Sequence, residues 1–422
     1  MKKTLSVLLV LAMMISVCFA FASCGNSGNE TKSTTTTAKG SEAQTTAASA
    51  SKDFKIGVIL LHDEDSTYDN NFIQGVKDAQ KSLGLADSQV IIKKNIGEDN
   101  GCYDAASELV AEGCNVVFAD SFGHESYILK AAKEFTNVQF CHATGTMAHT
   151  EKLANFHNAF ASIYEGRYLA GIAAGMKLNE MIEAGEFAAE DAKIGYVGAY
   201  TYAEVISGYT SFFLGVKSEY ENVKMYVQFT GSWYDETKES AAAKTLLSKG
   251  CALISQHADS MGAPSACEDA GVPNVSYNGS TKDSCPNTFI VSSRINWAPY
   301  FEYLYNQITT GAAIADDYTG TIATGSVVLT EVNEAAAAAG TQDRIDAVKA
   351  ELQNGTRNVF DASKFTVGGV NLTSYKADVD TDAAYTPDTE VIDNGVFYES
   401  KFRSAPYFDI RIDDIELLNE LY

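Results

Sequence analysis

The stretch Ile56–Gly84, IGVILLHDEDSTYDNNFIQGVKDAQKSLG, decides the fold. Ile56 to Leu61 is an apolar run of strand length that stops abruptly at His62, Asp63, Glu64 and Asp65, and a helical pattern, NFIQGVKDAQKSLG, begins a few residues later. The same unit recurs downstream. QVIIKKN, CNVVFAD and VQFCHAT are short apolar runs separated by the helical patterns DAASELVAEG and ESYILKAAKEF. Such alternation predicts a parallel sheet with helices on both faces. A second series follows, with the strands AKIGYVGAY, KMYVQFTGS, CALISQHAD and PNVSYNG alternating with GYTSFFLGVKSEY, TKESAAAKTLLSKG and GAPSACEDAG. The expected fold class is therefore α/β, with two doubly wound domains. Open sheets of this kind bind ligands beyond the carboxyl ends of their strands, which is where the acidic run after Leu61 falls.

The 422 residues are 45% hydrophobic, enough for two cores, and carry a formal charge of -24. That balance leaves no basic stripe to neutralise phosphates and excludes a nucleic-acid partner. Residues 1–23 read as an export signal: Lys2 and Lys3, the apolar run LSVLLVLAMMISVCFAF, then FASC. The segment resembles a bacterial lipoprotein signal with Cys24 as the lipidated residue, although Phe21 stands where leucine is usual. An ordinary signal-peptidase site and an uncleaved anchor are the alternatives. Residues 24–52, rich in Ser and Thr, lack large apolar side chains and are expected to form a disordered tether. No later apolar run reaches membrane-spanning length.

The segments DEDSTYDNNFIQG, FADSFGHE, FASIYEGRYLAGIAAG, IGYVGAY, FTGSWYDETKESAAAKTLLSKGCALISQHADS and INWAPYFEYLYNQITTG occur in order between about Phe54 and Gly355. Together they resemble the BMP (basic membrane protein) family of ABC-transporter substrate-binding lipoproteins. The resemblance implies a type I periplasmic-binding-protein fold, two Rossmann-like lobes joined by three crossovers, that binds a nucleoside or purine and delivers it to an ABC permease. It places lobe 1 at 53–157 and about 298–325, lobe 2 at 158–297 and about 326–360, and a C-terminal extension, 361–422, wrapping one lobe.

It also implies a set of ligand-binding residues. Gly75 fixes Tyr68 as the first stacking aromatic, Asp69 follows where asparagine is usual, and Glu64 and Asp65 fall on an acidic pair just upstream. Ser121 and Phe122, with His124 and Glu125, fill the loop after the third strand, and Asp120 and Glu125 are its two candidate sugar-binding acids. Trp233 matches the second stacking aromatic. Gln256, His257 and Asp259 match the next strand's loop and Asn278 the one after, while Arg294 or Asn296 would replace a hinge lysine.

Elementary chemistry agrees with this ligand class, since aromatics clamp flat π faces and a carboxylate accepts paired hydrogen bonds from a vicinal diol. Each residue also has a plainer reading. Tyr68 could pack on its own lobe, the acids could cap the next helix, Trp233 could be core, and His257 could be structural. No zinc-protease helix, P-loop or nucleophile elbow is present, so no catalytic residue, cofactor or metal is expected. The other readings are a binder of a sugar or flavin, or a ligand sensor feeding a membrane receptor or kinase. A monomer is expected, and Cys267 with Cys285 is the favoured pair if disulfides form.

Overall fold

The computed structural model describes Ser51 and residues 54–379 and 386–422. The export signal, Cys24 and all of the tether except Ser51 lie outside the described residues. The first alternating series forms β1 (Ile56–Ile59), α1 (Thr67–Leu83), β2 (Val90–Lys93), α2 (Asn100–Ala111), β3 (Val116–Ala119), α3 (Glu125–Glu134), β4 (Gln139–Ala143), α4 (Ala148–Glu151) and β5 (Phe156–Ala161). Every residue of β1 and β3 is buried, as expected of parallel strands covered on both faces. α1 begins where Ser66 accepts the Asp69 N–H, and it ends at Gly84, whose φ of 66° suits a residue without a side chain.

α5 (Ile163–Glu183) crosses to the second lobe, which runs β6 (Lys193–Gly198), α6 (Ala203–Glu219), β7 (Lys224–Phe229), α7 (Glu236–Ser248), β8 (Leu253–His257), α8 (Gly262–Ala270), β9 (Asn274–Tyr277) and β10 (Phe289–Ile295). The chain then returns through α9 (Ala298–Thr310) to β11 (Asp317–Gly320), crosses a third time to β12 (Val327–Leu329), and continues into α10 (Thr341–Gln353). The first sheet has six strands in the order β11-β5-β4-β3-β1-β2, all parallel. In the second sheet β12 is antiparallel to β10. Trp297 anchors the return, stacked on Phe72 of α1 with ring centroids 4.4 Å apart. Gly75 permits this approach, because a Cβ there would lie 2.6 Å from that of Trp297.

Three expectations need correction. The first crossing lies at Ser162 and not between residues 157 and 158, because Asn158 to Ala161 remain in register with Asp317 to Gly320 inside the first sheet. The extension does not wrap a single lobe. It carries the short pairs β13 (Lys376–Ala377) with β14 (Thr389–Glu390) and β15 (Ile392–Asp393) with β16 (Val396–Phe397), and ends in β17 (Ile415–Leu417), which adds to β7 of the second sheet. On the way Ser404 donates through its N–H and hydroxyl to Asp317 of the first sheet, at 2.8 and 2.7 Å. Cys267 and Cys285 are buried free thiols, as are the four other described cysteines. Cys267 packs into the apolar cluster of α7 and α8, which does not include Cys285.

α5 and α6 cross at glycines. A Cβ at Gly171 would lie 2.1 Å from the Phe212 carbonyl oxygen, and one at Gly215 would lie 2.2 Å from that of Tyr168. Gly171→Ala is therefore expected to destabilise the fold by about 1–3 kcal/mol through overpacking. Urea unfolding checks this, and an unchanged midpoint would contradict the close crossing.

Candidate functional site

The carboxyl ends of the two sheets face each other across a cavity of about 390 Å³, a figure that takes in space open to solvent. The first lobe lines it with Leu61, His62, Tyr68 and Asp69 after β1, Ser121 and Phe122 after β3, and Thr144 after β4. The second lobe contributes Glu204 from the first turn of α6, Trp233 after β7, His257 and Asp259 at the end of β8, and Tyr277 at the end of β9. The lobes touch beside it. The Thr67 N–H and hydroxyl donate to the Asp259 carbonyl at 3.0 and 3.2 Å, and the Asn71 amide donates to Asn278 Oδ1 at 3.0 Å.

Each aromatic is held from behind. The Tyr68 hydroxyl donates to the Asp120 carbonyl at 2.8 Å, and its ring meets Phe72 edge-on at 5.0 Å. Trp233 is half-buried in the loop before α7 and rests edge-on against Tyr200 at 5.1 Å. Tyr200 stacks on Tyr202, which faces Phe122 of the other lobe at 5.4 Å.

The carboxyls differ in charge state. Burial opposes ionisation of Asp69, yet hydrogen bonds from His62 and Ser66 hold it below the usual carboxylate range. Its Oδ1 accepts the His62 N–H at 2.7 Å and its Oδ2 the Ser66 hydroxyl at 2.6 Å. Asp120, fully buried beside it, is pushed well above the ordinary range by burial and then by the Asp69 charge. Asp259 is raised in the same way, by burial and then by Glu239, Asp69 and Glu204. The cavity thus combines an ionised acceptor with a carboxyl that favours its proton.

Behind the second-lobe wall lies Arg167 of α5, fully buried. Its guanidinium donates to the Ser255 hydroxyl at 2.7 Å, the Tyr196 hydroxyl at 3.0 Å, and the Ser276 carbonyl and Ser293 hydroxyl at 3.2 Å. It thereby joins β6, β8, β9 and β10 while lying 5.1–5.3 Å from the Tyr196, Phe212 and Tyr277 ring centroids. His257 continues the chain, 3.3 Å from the Tyr196 hydroxyl and 3.4 Å from Glu204. Burial lowers its pKa and favours the neutral ring.

The structure brings together Tyr68, Asp69, Ser121, Phe122, Trp233, His257 and Asp259, and separates the other sequence-predicted residues from them. Glu64 and Asp65 are exposed on the turn, where Glu64 pairs with Lys94 and the Asp65 N–H donates to Asp63 at 3.2 Å. The chain reverses direction there, so the acidic pair points to solvent. Asn278 lies behind Asp259 and serves the seam between lobes. Arg294 sits in β10 opposite Val328, and Asn296 joins two crossing segments by accepting the Ala298 N–H and donating to the Gly325 carbonyl, both at 3.2 Å. The hinge therefore brings no cation to the cavity. Glu125 is occupied by the Thr146 and Met147 N–H groups at 2.7 and 2.8 Å, and His124 lies 2.9 Å from the Ile96 carbonyl. Sequence reasoning missed Leu61, His62, Thr144, Glu204 and Tyr277 as lining residues, and Arg167 behind them. An arginine within the apolar, glycine-rich run GRYLAGIAAG was the available signal for the last. Among the described residues no group of three or more His, Cys, Asp or Glu could hold a metal ion.

Two doubly wound lobes with three crossings and a cavity at their strand ends define the type I periplasmic-binding-protein fold. Residues 55–356 match the Bmp family, described as "ABC transporter substrate-binding protein PnrA-like", and the chain belongs to that family. It is 30% identical over 259 residues to a purine-binding protein of Brucella abortus (strain 2308), covering 60% of this chain and 69% of that one. It is 28% identical to a putative ABC transporter glucose-binding protein of Haloferax volcanii, covering 61% of this chain and 62% of that one. A solute-binding protein of an ABC transporter system from Conexibacter woesei has the same fold, with a TM-score of 0.59 at 20% identity, covering 72% of this chain and 98% of that one. The protein is thus an ABC-transporter substrate-binding protein, acting outside the cytoplasm with a small-molecule ligand and a permease partner. No helix among the described residues is long and apolar enough to cross a membrane.

Glu239 of α7 ties down the Asp259 loop by accepting the Asp235 N–H at 3.1 Å and the Ser260 N–H at 3.2 Å. Burial pushes its pKa up from 4.5 to about 7. The native state therefore binds more protons than the unfolded one between those values, so the contribution is complete below about 4.5 and is lost as pH rises through about 7. Thermal melts across this window are expected to show stability falling with pH, and Glu239→Gln to flatten the slope. An identical slope in the variant would contradict the assignment.

Proposed function

We propose that the cavity binds a purine nucleoside, and that the protein delivers it to an ABC permease as a monomer anchored by a lipid on Cys24. One observation carries this reading: aromatic rings from both lobes, Tyr68 and Phe122 against Trp233 and Tyr277, line the same space as the carboxyls of Asp69, Asp259 and Glu204, and no lysine or arginine among the described residues lines it. Flat rings offer π faces to a base. Carboxyls in mixed protonation states accept from sugar hydroxyls or ring N–H groups, and a protonated one also donates to a ring nitrogen or carbonyl. A cavity lined by acids without a cation disfavours an anion in that position. The name of the Brucella relative supports the purine part. The Haloferax relative raises a second reading, a free hexose, because acids beside aromatics also suit a sugar.

Calorimetry with purine and pyrimidine nucleosides, free bases and hexoses separates the two. The preferred ligand is expected to be a purine nucleoside. Trp233→Ala should lose stacking worth about 1–3 kcal/mol, a roughly 5- to 150-fold weaker Kd. Asp259→Asn should weaken the nucleoside more than its free base. Hexose binding with no nucleoside binding would overturn the proposal.

A further inference from the structure

A second cavity, of about 1000 Å³ including space open to solvent, lies between the ligand cavity and the C-terminal extension. The two share Phe122, Thr144 and Glu204 as lining residues and so lie side by side. The far wall of the second is built from the extension, including Arg403, Asp409 and Arg411, beyond residue 356 where the family match ends. The far wall of the outer compartment therefore lies outside the part of the chain that matches the family.

Its electrostatics are unlike those of the inner compartment. Arg411 pairs with Glu420 and donates to the Tyr422 hydroxyl at 3.1 Å. Arg403 is held by backbone, donating to the Asp378 carbonyl at 3.0 Å and the Ala405 carbonyl at 3.3 Å, and pairs at salt-bridge distance with no carboxylate among the described residues. Burial pulls its pKa down although the Asp378, Asp317 and Glu125 charges act on it from beyond salt-bridge distance in the other direction, and a bound anion in direct contact would relieve that cost. Two carboxylates also line the compartment and limit its positive potential. Glu204 is engaged with His257 on the inner side, Asp409 accepts the Tyr375 hydroxyl, and Arg403 is the lining cation that no described carboxylate contacts directly. The first turn of α6 lines the same space with no side chain capping it.

We propose that the site is bipartite: the inner compartment holds the base and sugar, and the outer one takes an anionic group carried by the same ligand, of the phosphoryl type, on Arg403. The ligand class is then a nucleoside monophosphate. This proposal rests on the base-and-sugar reading of the inner cavity.

Calorimetry on the mature protein with a purine nucleoside, its 5′-monophosphate, ribose 5-phosphate and inorganic phosphate tests it. The monophosphate is expected to bind about ten-fold more tightly than the nucleoside, as a charge-assisted guanidinium contact allows. Arg403→Gln should abolish that gain while leaving the nucleoside Kd within about two-fold, and Arg403→Lys should retain part of it. A wild type that binds the nucleoside as tightly as its monophosphate overturns the outer site alone, as does an Arg403→Gln variant that weakens both ligands equally or retains the gain. Inorganic phosphate competing fully with the nucleoside would also overturn it, since the anion would then occupy the inner compartment. If no nucleoside binds but ribose 5-phosphate binds in an Arg403-dependent manner, the outer site stands and the purine reading falls. Thermal melts of the variants confirm that they are folded.

Discussion

The contact on which the arrangement depends is small: Thr67, at the first position of α1, gives its N–H and its hydroxyl to the Asp259 carbonyl of the opposite lobe. Both partners lie just past the carboxyl ends of strands, β1 in one sheet and β8 in the other. The seam that closes the lobes and the wall of the cavity are therefore made from the same loops. Ser66 fixes the start of α1 by capping it, and Glu239 fixes the Asp259 loop through backbone N–H groups. A ligand that touches Asp69 or Asp259 acts directly on elements that also hold the lobes together, which couples binding to closure.

Burial of charge sets the character of the site. Three acids meet the cavity; hydrogen bonds from His62 and Ser66 favour ionisation of Asp69, while burial pushes Asp259 toward its neutral form. On the second-lobe side, the buried Arg167 stands behind the wall without entering the cavity. Its hydrogen bonds tie four strands together, and through Tyr196 and His257 it also governs where Glu204 stands. Removing one partner of such a buried network leaves desolvated donors and acceptors, a larger loss than the net worth of any single bond. The rigidity of this wall contrasts with the Trp233 side, where a half-buried ring rests on other rings and can adjust to a flat ligand.

Much of the fold was legible because strands buried on both faces read as continuous apolar runs. β5 was not: His157 and Asn158 interrupt its pattern, and only the structure shows their partners, Gln139 for the histidine and the Ala148 N–H for the asparagine. The aromatic and acidic residues near strand ends were legible as site candidates because the family resemblance singled them out at places where a doubly wound sheet binds its ligand. Glu64 and Asp65 were nominated by their place in the acidic run after β1, and Arg294 and Asn296 as substitutes for a hinge lysine, and none of the four lines the cavity. Sequence proximity to a strand end does not give the direction of a side chain, and turns send neighbours to opposite sides. Arg167 and the bridging course of the extension were illegible because both depend on contacts between segments far apart in the chain.

The central claim is that two lobes close on a base and its sugar with one set of strand-end residues. A crystal structure of the protein grown with a saturating purine nucleoside tests it most directly. The account predicts the base between Tyr68 or Phe122 and Trp233, sugar hydroxyls on the cavity carboxyls, and the Thr67–Asp259 seam intact. A nucleoside bound elsewhere, or a seam broken while the cavity is filled, would contradict it.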